Sequence, residues 1–161
     1  MAAEKPFWKT KTLKEMTRTE WESLCDGCAK CCLVKLEDEE TKELFFTNLA
    51  CKLLDGKTCR CSNYPERKKH VPICVKLTPH IVATVDWLPD SCAYRLVHEG
   101  KDLYDWHHLI CGDREEIHRR GYSAKNRVVS EVGVADEDAI DYVIDWFHGP
   151  PPKRKRRLKR K

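Results

Sequence analysis

No apolar run in this 161-residue chain approaches the roughly 20 residues that a bilayer-crossing helix needs, so a transmembrane anchor is not expected. The opening stretch, Met-Ala-Ala-Glu-Lys-Pro-Phe-Trp-Lys-Thr-Lys, has charge where a secretory leader has its apolar segment. Disulfides persist mainly in the oxidising compartments to which such leaders deliver. The expected location is therefore cytoplasmic, and the cysteines are expected to be unbridged. No internal repeat stands out either, which leaves a single domain with a real but modest core.

An excess of one charge sign is also missing, but only on average. The formal net charge is +4, yet the nine residues from Lys153 to Lys161 hold eight Lys or Arg. Without them 22 basic residues face 26 acidic ones, a body at −4. The segment 150–161, Pro-Pro-Pro followed by the polycation, reads as a disordered basic tail. Polycations bind phosphate backbones by releasing counterions. The tail's expected partners are thus nucleic acid or an anionic surface, contacted nonspecifically through residues 153–161, or none beyond solvent.

Cysteine is abundant. Eight of the ten fall between Cys25 and Cys74: the run Cys25-x2-Cys28-x2-Cys31-Cys32, then Cys51, the pair Cys59-x-Cys61, and Cys74. In a reducing compartment this density points to metal ligation ahead of disulfides or free redox thiols. Soft thiolates favour zinc, copper(I) and iron–sulfur clusters. Two geometries converge the first four sulfurs. One is a tight turn eased by Gly27, which tolerates positive φ; the other is a helix, on which they would share roughly 120° of arc. The spacing departs from known patterns. A bacterial ferredoxin run places three residues before its fourth cysteine and a proline after it; here Cys32 is adjacent to Cys31 and Leu33 follows. A zinc ribbon wants a second Cys-x2-Cys pair, and Cys59-x-Cys61 is one residue short. Eight thiols make two four-ligand sites or one cluster with spares, and the spacing alone does not name the metal.

Outside the block, Cys92 and Cys111 read as buried, inert thiols ahead of a supporting ligand role, and His70 as a solvated loop histidine rather than a ligand. The segment Tyr104-Asp105-Trp106-His107-His108 combines acid–base residue types, but neighbours on regular structure point apart, so packing is the simpler role. Trp21, Trp87, Trp106 and Trp146 read as core anchors.

Local signals place the elements. The first dozen residues form an arm with Phe7 and Trp8 as docking side chains. Thr17-x-x-Glu20 is a capping box opening a helix. Leu33–Leu36 and Leu44–Thr47 flank an acidic turn as a hairpin, and Asp55-Gly56 marks a second turn. Residues 61–72 read as loop. Helices are expected from Thr78-Pro79 to about Val85, over 92–98 before Gly100, and over 113–120 before Gly121. A short strand is expected at Arg127–Ser130. The helix with the clearest apolar spacing is Asp136–Phe147, through Ile140, Val143, Ile144 and Phe147.

The cysteine pattern, with Tyr64 and Arg67 after Cys61, resembles the bacterial YkgJ-type cysteine-cluster proteins (CxxCxxCC). The downstream text resembles their YcgN branch: Leu77-Thr78-Pro79, Asp86-Trp87-Leu88-Pro89, Cys92-Ala93-Tyr94-Arg95-Leu96 and Leu103-Tyr104-Asp105-Trp106-His107. The likeness runs from about Phe7 to Glu131 and implies a cytoplasmic domain that chelates zinc or iron. It implies no reaction, and a related motif in flagellin lysine methylases keeps an enzymatic reading open.

The expectation is an α+β, mostly helical small domain stapled by metal, with a short β-hairpin. It spans 1–149, with the cysteine block at 25–74 and a helical remainder at 75–149. The ligands are expected among Cys25, Cys28, Cys31, Cys32, Cys51, Cys59, Cys61 and Cys74. The cofactor is zinc or iron, an iron–sulfur cluster included. No residue is assigned a catalytic role, and a binding protein is favoured over an enzyme. Two other classes fit the same residues: an iron–sulfur enzyme or accessory factor in redox or methyl-transfer chemistry, and a nucleic-acid module acting through the tail.

Overall fold

The computed structural model describes residues 4–147; the tail read at 150–161 lies outside the described residues. Helix makes up 33% of the described chain and strand 13%, an α+β mixture whose helices are short. Among the described residues no helix is long and apolar enough to cross a membrane.

The N-terminal arm is a docked element. Helix α1 (Phe7–Thr10) and a 3-10 turn (Leu13–Glu15) lay Leu13 into the core, while Phe7 and Trp8 pack against the same cluster. Helix α2 (Arg18–Leu24) starts at the expected capping box. Glu20 N–H donates to Thr17 Oγ1 at 3.2 Å, and Thr17 N–H donates to Glu20 Oε2 at 2.9 Å. Thr17→Ala removes one of these bonds and should cost about 1 kcal/mol, read as a lower urea midpoint with unchanged slope.

The irregular segment from Cys25 leads through a 3-10 turn (Lys30–Cys32) into strand β1 (Leu33–Glu37). Strand β2 (Leu44–Ala50) returns antiparallel, pairing Leu33 with Ala50 and Glu37 with Leu44. The register slips between Leu33 and Lys35. Beside this bulge, buried Thr47 donates Oγ1–H to the Val34 carbonyl at 2.7 Å. Strands β3 (Leu54–Asp55) and β4 (Arg60–Cys61) form a second small hairpin. At its turn a Cβ on Gly56 would lie 2.7 Å from Val128 Cγ2, so only glycine lets the two segments approach this closely. Residues 61–72 contain one helical turn, α3 (Arg67–His70).

Helices α4 (Pro79–Thr84) and α5 (Ala93–His98) follow where expected. Beyond them come α6 (His108–Cys111) and α7 (Glu116–Arg119). Strand β5 (Val129–Ser130) joins β2 in parallel, giving the order β1-β2-β5.

The Asp136–Phe147 helix is a correction. Only a 3-10 stretch, Asp136–Tyr142, forms. Val143 then bridges Thr47, and Ile144 N–H donates to the Phe46 carbonyl at 2.8 Å. Sheet pairing competes with helix here and wins, because it lets Phe147 stack on Phe46 with ring centroids 3.7 Å apart. The apolar spacing is not that of a buried face: Ile140 is 68% exposed.

Three small apolar clusters result. The helical one gathers Leu13, Leu24, Val82, Leu88, Tyr94 and Leu96, among others. The second lies under the sheet, around Leu33, Ala50, Ala124 and Phe147. The third is Cys28 with Trp106 and Ile117. Leu24 belongs to the first, Cys28 to the third and Ala29 to the second. Six consecutive residues therefore tie all three cores together.

Candidate metal centre

The joining loop is a turn, not a helix. Gly27 has φ 76° and Ala29 has φ 63°. Nothing lies within 4 Å of a Cβ built on Gly27, so the demand for glycine is conformational. The loop is closed locally, where Cys28 N–H donates to Asp26 Oδ1 at 2.9 Å. It is closed at a distance by Ala124 N–H, which donates to the Cys28 carbonyl at 2.9 Å. His107 anchors its start. This buried imidazole meets the Leu24 carbonyl through Nε2 at 2.8 Å and accepts from Leu109 N–H through Nδ1 at 3.0 Å. A carbonyl only accepts and an N–H only donates, so the partners fix the neutral, Nε2–H tautomer.

Burial accordingly holds the His107 pKa below its usual value. The unfolded chain, with imidazole near about 6.5, takes up a proton that the fold refuses. This contribution to stability is complete above that pH and is lost as pH falls below it. The expected outcome is a wild-type unfolding midpoint that drops from pH 7 to pH 5 more steeply than that of His107→Gln. Parallel pH profiles would contradict this role. The neighbouring His108 stacks on His107 with ring centroids 4.3 Å apart. Stacking and backbone hydrogen bonds thus hold this segment in place.

The thiols form two groups that meet where the Cys32 thiol donates to Cys31. Cys25, Cys28 and Cys31 interact electrostatically with one another around Asp26. The second group is built by the hairpins. Cys51 N–H donates to the Cys32 carbonyl at 2.9 Å, extending the β1–β2 ladder, and Leu54, bonded to the Cys51 carbonyl, pairs with Cys61 across β3–β4. Cys74 joins them, its charge felt at both Cys32 and Cys51. All ten cysteines are unbridged. Among the described residues, no three His, Cys, Asp or Glu side chains are drawn close enough to close on a metal ion. The thiols stand near one another without closing a polyhedron.

Cys59 stands apart from the other seven. It is buried under the sheet with Leu33, Ala50 and Phe147, at φ 58°. The strongest influences on its thiol after burial are Lys125 and the Ser123 hydroxyl, not a cysteine. Beyond the block, Cys111 is exposed, which corrects its reading as a buried thiol, and His70 is exposed as expected.

The local electrostatics disfavour bare thiolates. Burial, ahead of the Asp26 carboxylate, pushes the Cys25 thiol up to about 12, although one side of the residue is open to solvent. Cys28 is raised by burial and then by Asp26. Cys31 runs the other way, to about 7, because the Cys32 thiol donates to it and Lys35 lies near; Cys32 is raised correspondingly. A cation among these sulfurs would relieve their mutual repulsion.

The surroundings fit such a charged centre. Lys30 is completely buried, and its Nζ has no hydrogen-bond partner. Its principal favourable charges are Cys28 and Asp26, and Asp26 Oδ2 is likewise buried and unpartnered. Lys35 Nζ donates to the Cys31 and Leu33 carbonyls at 3.1 and 2.9 Å and lies over the Trp87 ring, 4.6 Å from its centroid. A buried, unpartnered ammonium is costly. Thiolates with a net negative charge around a bound cation would satisfy it.

Sequence reasoning had not picked out Lys30, Lys35 or Asp26. The only available signal was charge interleaved with the cysteines. Tyr64 and Arg67 also gain a place. The guanidinium stacks 3.9 Å from the Tyr64 ring centroid, and the Tyr64 hydroxyl feels Cys25 and Cys31, so this turn lies near the first group.

A fold of small clusters joined through a thiol-rich loop defines a cysteine-cluster domain, and comparison with known proteins places it. Residues 24–93 match the CxxCxxCC family model, described as a "Putative zinc- or iron-chelating domain". A UPF0260 protein of Allorhizobium ampelinum is 58% identical over 141 residues, covering 88% of this chain and 89% of its own. One from Mesorhizobium japonicum is 57% identical over 144 residues, covering 88% and 97%. One from Caulobacter vibrioides is 56% identical over 144 residues, covering 89% of each chain. The chain belongs to this bacterial family of UPF0260, CxxCxxCC proteins. No solved structure matches it.

Proposed function

We propose that the protein is a cytoplasmic zinc- or iron-binding protein whose metal, held by thiolates of the 25–74 block, also holds the domain together. The observation that carries this reading is the Lys30 ammonium, fully buried without a hydrogen-bond partner beside Cys28. An interior cation is tolerable where negative charge faces it, and metal-bound thiolates supply that charge. One centre draws on Cys25, Cys28 and Cys31; the other draws on Cys32, Cys51, Cys61 and Cys74. Zinc would supply a tetrahedral staple, and iron with sulfide a redox-active cluster.

Anaerobic purification followed by elemental analysis and a visible spectrum tests the reading. Colourless protein with zinc, or brown protein with iron and acid-labile sulfide, supports it and names the metal. Protein that stays free of both, even after anaerobic reconstitution, overturns it.

A further inference from the structure

Residues 66–76 carry four Lys or Arg against one acid, Glu66. Seven of the nine residues 68–76 are exposed. In their middle stands Ile73, 87% exposed, the most solvent-open large hydrophobic among the described residues; Val75, two positions on, is 45% exposed. We propose that this loop is a membrane-contact element: Pro72 and Ile73 enter the interfacial layer of an anionic bilayer while Lys68, Lys69 and Lys76 meet its phosphates. The inference goes beyond the metal reading and does not depend on which ion the thiols hold.

The tip of the loop is a formed turn. Cys74 N–H donates to the Val71 carbonyl at 2.9 Å, which puts Pro72 and Ile73 at the two corner positions. Proline suits the first corner because its ring presets φ. The second corner ordinarily takes a small or polar residue; a β-branched isoleucine there serves neither the turn nor the core. The turn leaves α3 directly, where Val71 N–H donates to the Arg67 carbonyl at 2.8 Å. Arg67 is braced in its turn: Nη1 donates to the Tyr64 carbonyl at 2.7 Å, and the guanidinium stacks on the Tyr64 ring. The base of the loop is thus held while the Ile73 side chain stays in water.

An aliphatic tip flanked by lysines fits a bilayer better than a nucleic acid. Unpaired bases are met by aromatic faces, and the only Phe, Tyr or Trp of residues 51–86 is Tyr64, whose ring already carries the Arg67 guanidinium. A phosphate backbone offers Ile73 nothing. An inserted apolar side chain and lysines at the headgroups are, by contrast, the two halves of peripheral membrane binding. The lysines are free to serve. Among the described residues Lys68 and Lys76 form no hydrogen bond or ion pair, and Lys69 has only Glu66, at 3.3 Å, with 77% of its own side chain in solvent.

The test titrates the full chain with vesicles of phosphatidylcholine, alone or mixed with phosphatidylglycerol, and separately with a DNA duplex. Wild type is expected to bind the mixed vesicles and not the neutral ones. Ile73→Ser should weaken that binding about tenfold, the low end of what burying an isoleucine contributes, and Ile73→Leu should bind as wild type does. Lys68→Gln and Lys76→Gln should each cost about fivefold. All four variants should keep the wild-type unfolding midpoint, because each side chain stands in water, and Ile73→Ser should leave duplex affinity unchanged. The 153–161 polycation supplies charge independently of Ile73. Vesicle binding that Ile73→Ser leaves intact would therefore assign the contact to the tail and overturn the inference. So would a loss on the duplex in place of the vesicles, a lowered midpoint in Ile73→Ser, or a wild type that binds neither kind of vesicle.

Discussion

Stripping the metal is expected to unfold most of this domain. The three apolar clusters are each small, and the Leu24–Ala29 segment that contributes to all of them is largely irregular, with two left-handed residues. Without a cation, crowded thiols and the buried Asp26 and Lys30 meet at that junction. Structural zinc contributes on the order of 10–16 kcal/mol to small finger domains, comparable to the whole stability of a typical protein, roughly 5–15 kcal/mol. Even about 5 kcal/mol lost here would lower a thermal midpoint by about 10–20 °C. Thermal unfolding of metal-loaded and chelator-treated protein, with metal content confirmed, measures this. A midpoint that stays put after complete removal would show the metal to be cargo on a self-sufficient fold.

Lys30→Met should have opposite effects on the two states. In the metal-bound protein the ammonium offsets the negative charge of the Cys28 centre, so its loss should weaken metal binding about 10–100-fold, the range for groups that support ligands. In metal-free protein the same ammonium is buried without a hydrogen bond, and burial lowers its pKa. Met keeps most of the volume without that cost, so the metal-free variant should be no less stable than wild type. Competition with a chromophoric chelator gives the first number and denaturant unfolding of apo protein the second. A variant that binds as tightly as wild type would remove the argument from the buried cation.

What was legible in the sequence was local. The Thr17–Glu20 capping box, the Thr78-Pro79 helix start and the two hairpin turns are set by residues within a few positions of one another, and each forms as expected. The Asp136–Phe147 segment was misread because its outcome is decided by β2, some ninety residues earlier, where Phe46 offers both a ladder partner and a ring to stack on. The cysteine run carries the family likeness, but sequence distance is a poor guide to which thiols lie together. Cys59 lies two residues from Cys61 yet is buried under the sheet. Nothing local in the sequence marks Lys30, which the fold encloses completely.

X-ray absorption at the edge of the bound metal, on protein purified without oxygen, tests thiolate ligation most directly. An all-sulfur first shell, at about 2.3 Å for zinc, is predicted. A shell dominated by nitrogen or oxygen would contradict the assignment of the cysteine block as the metal centre.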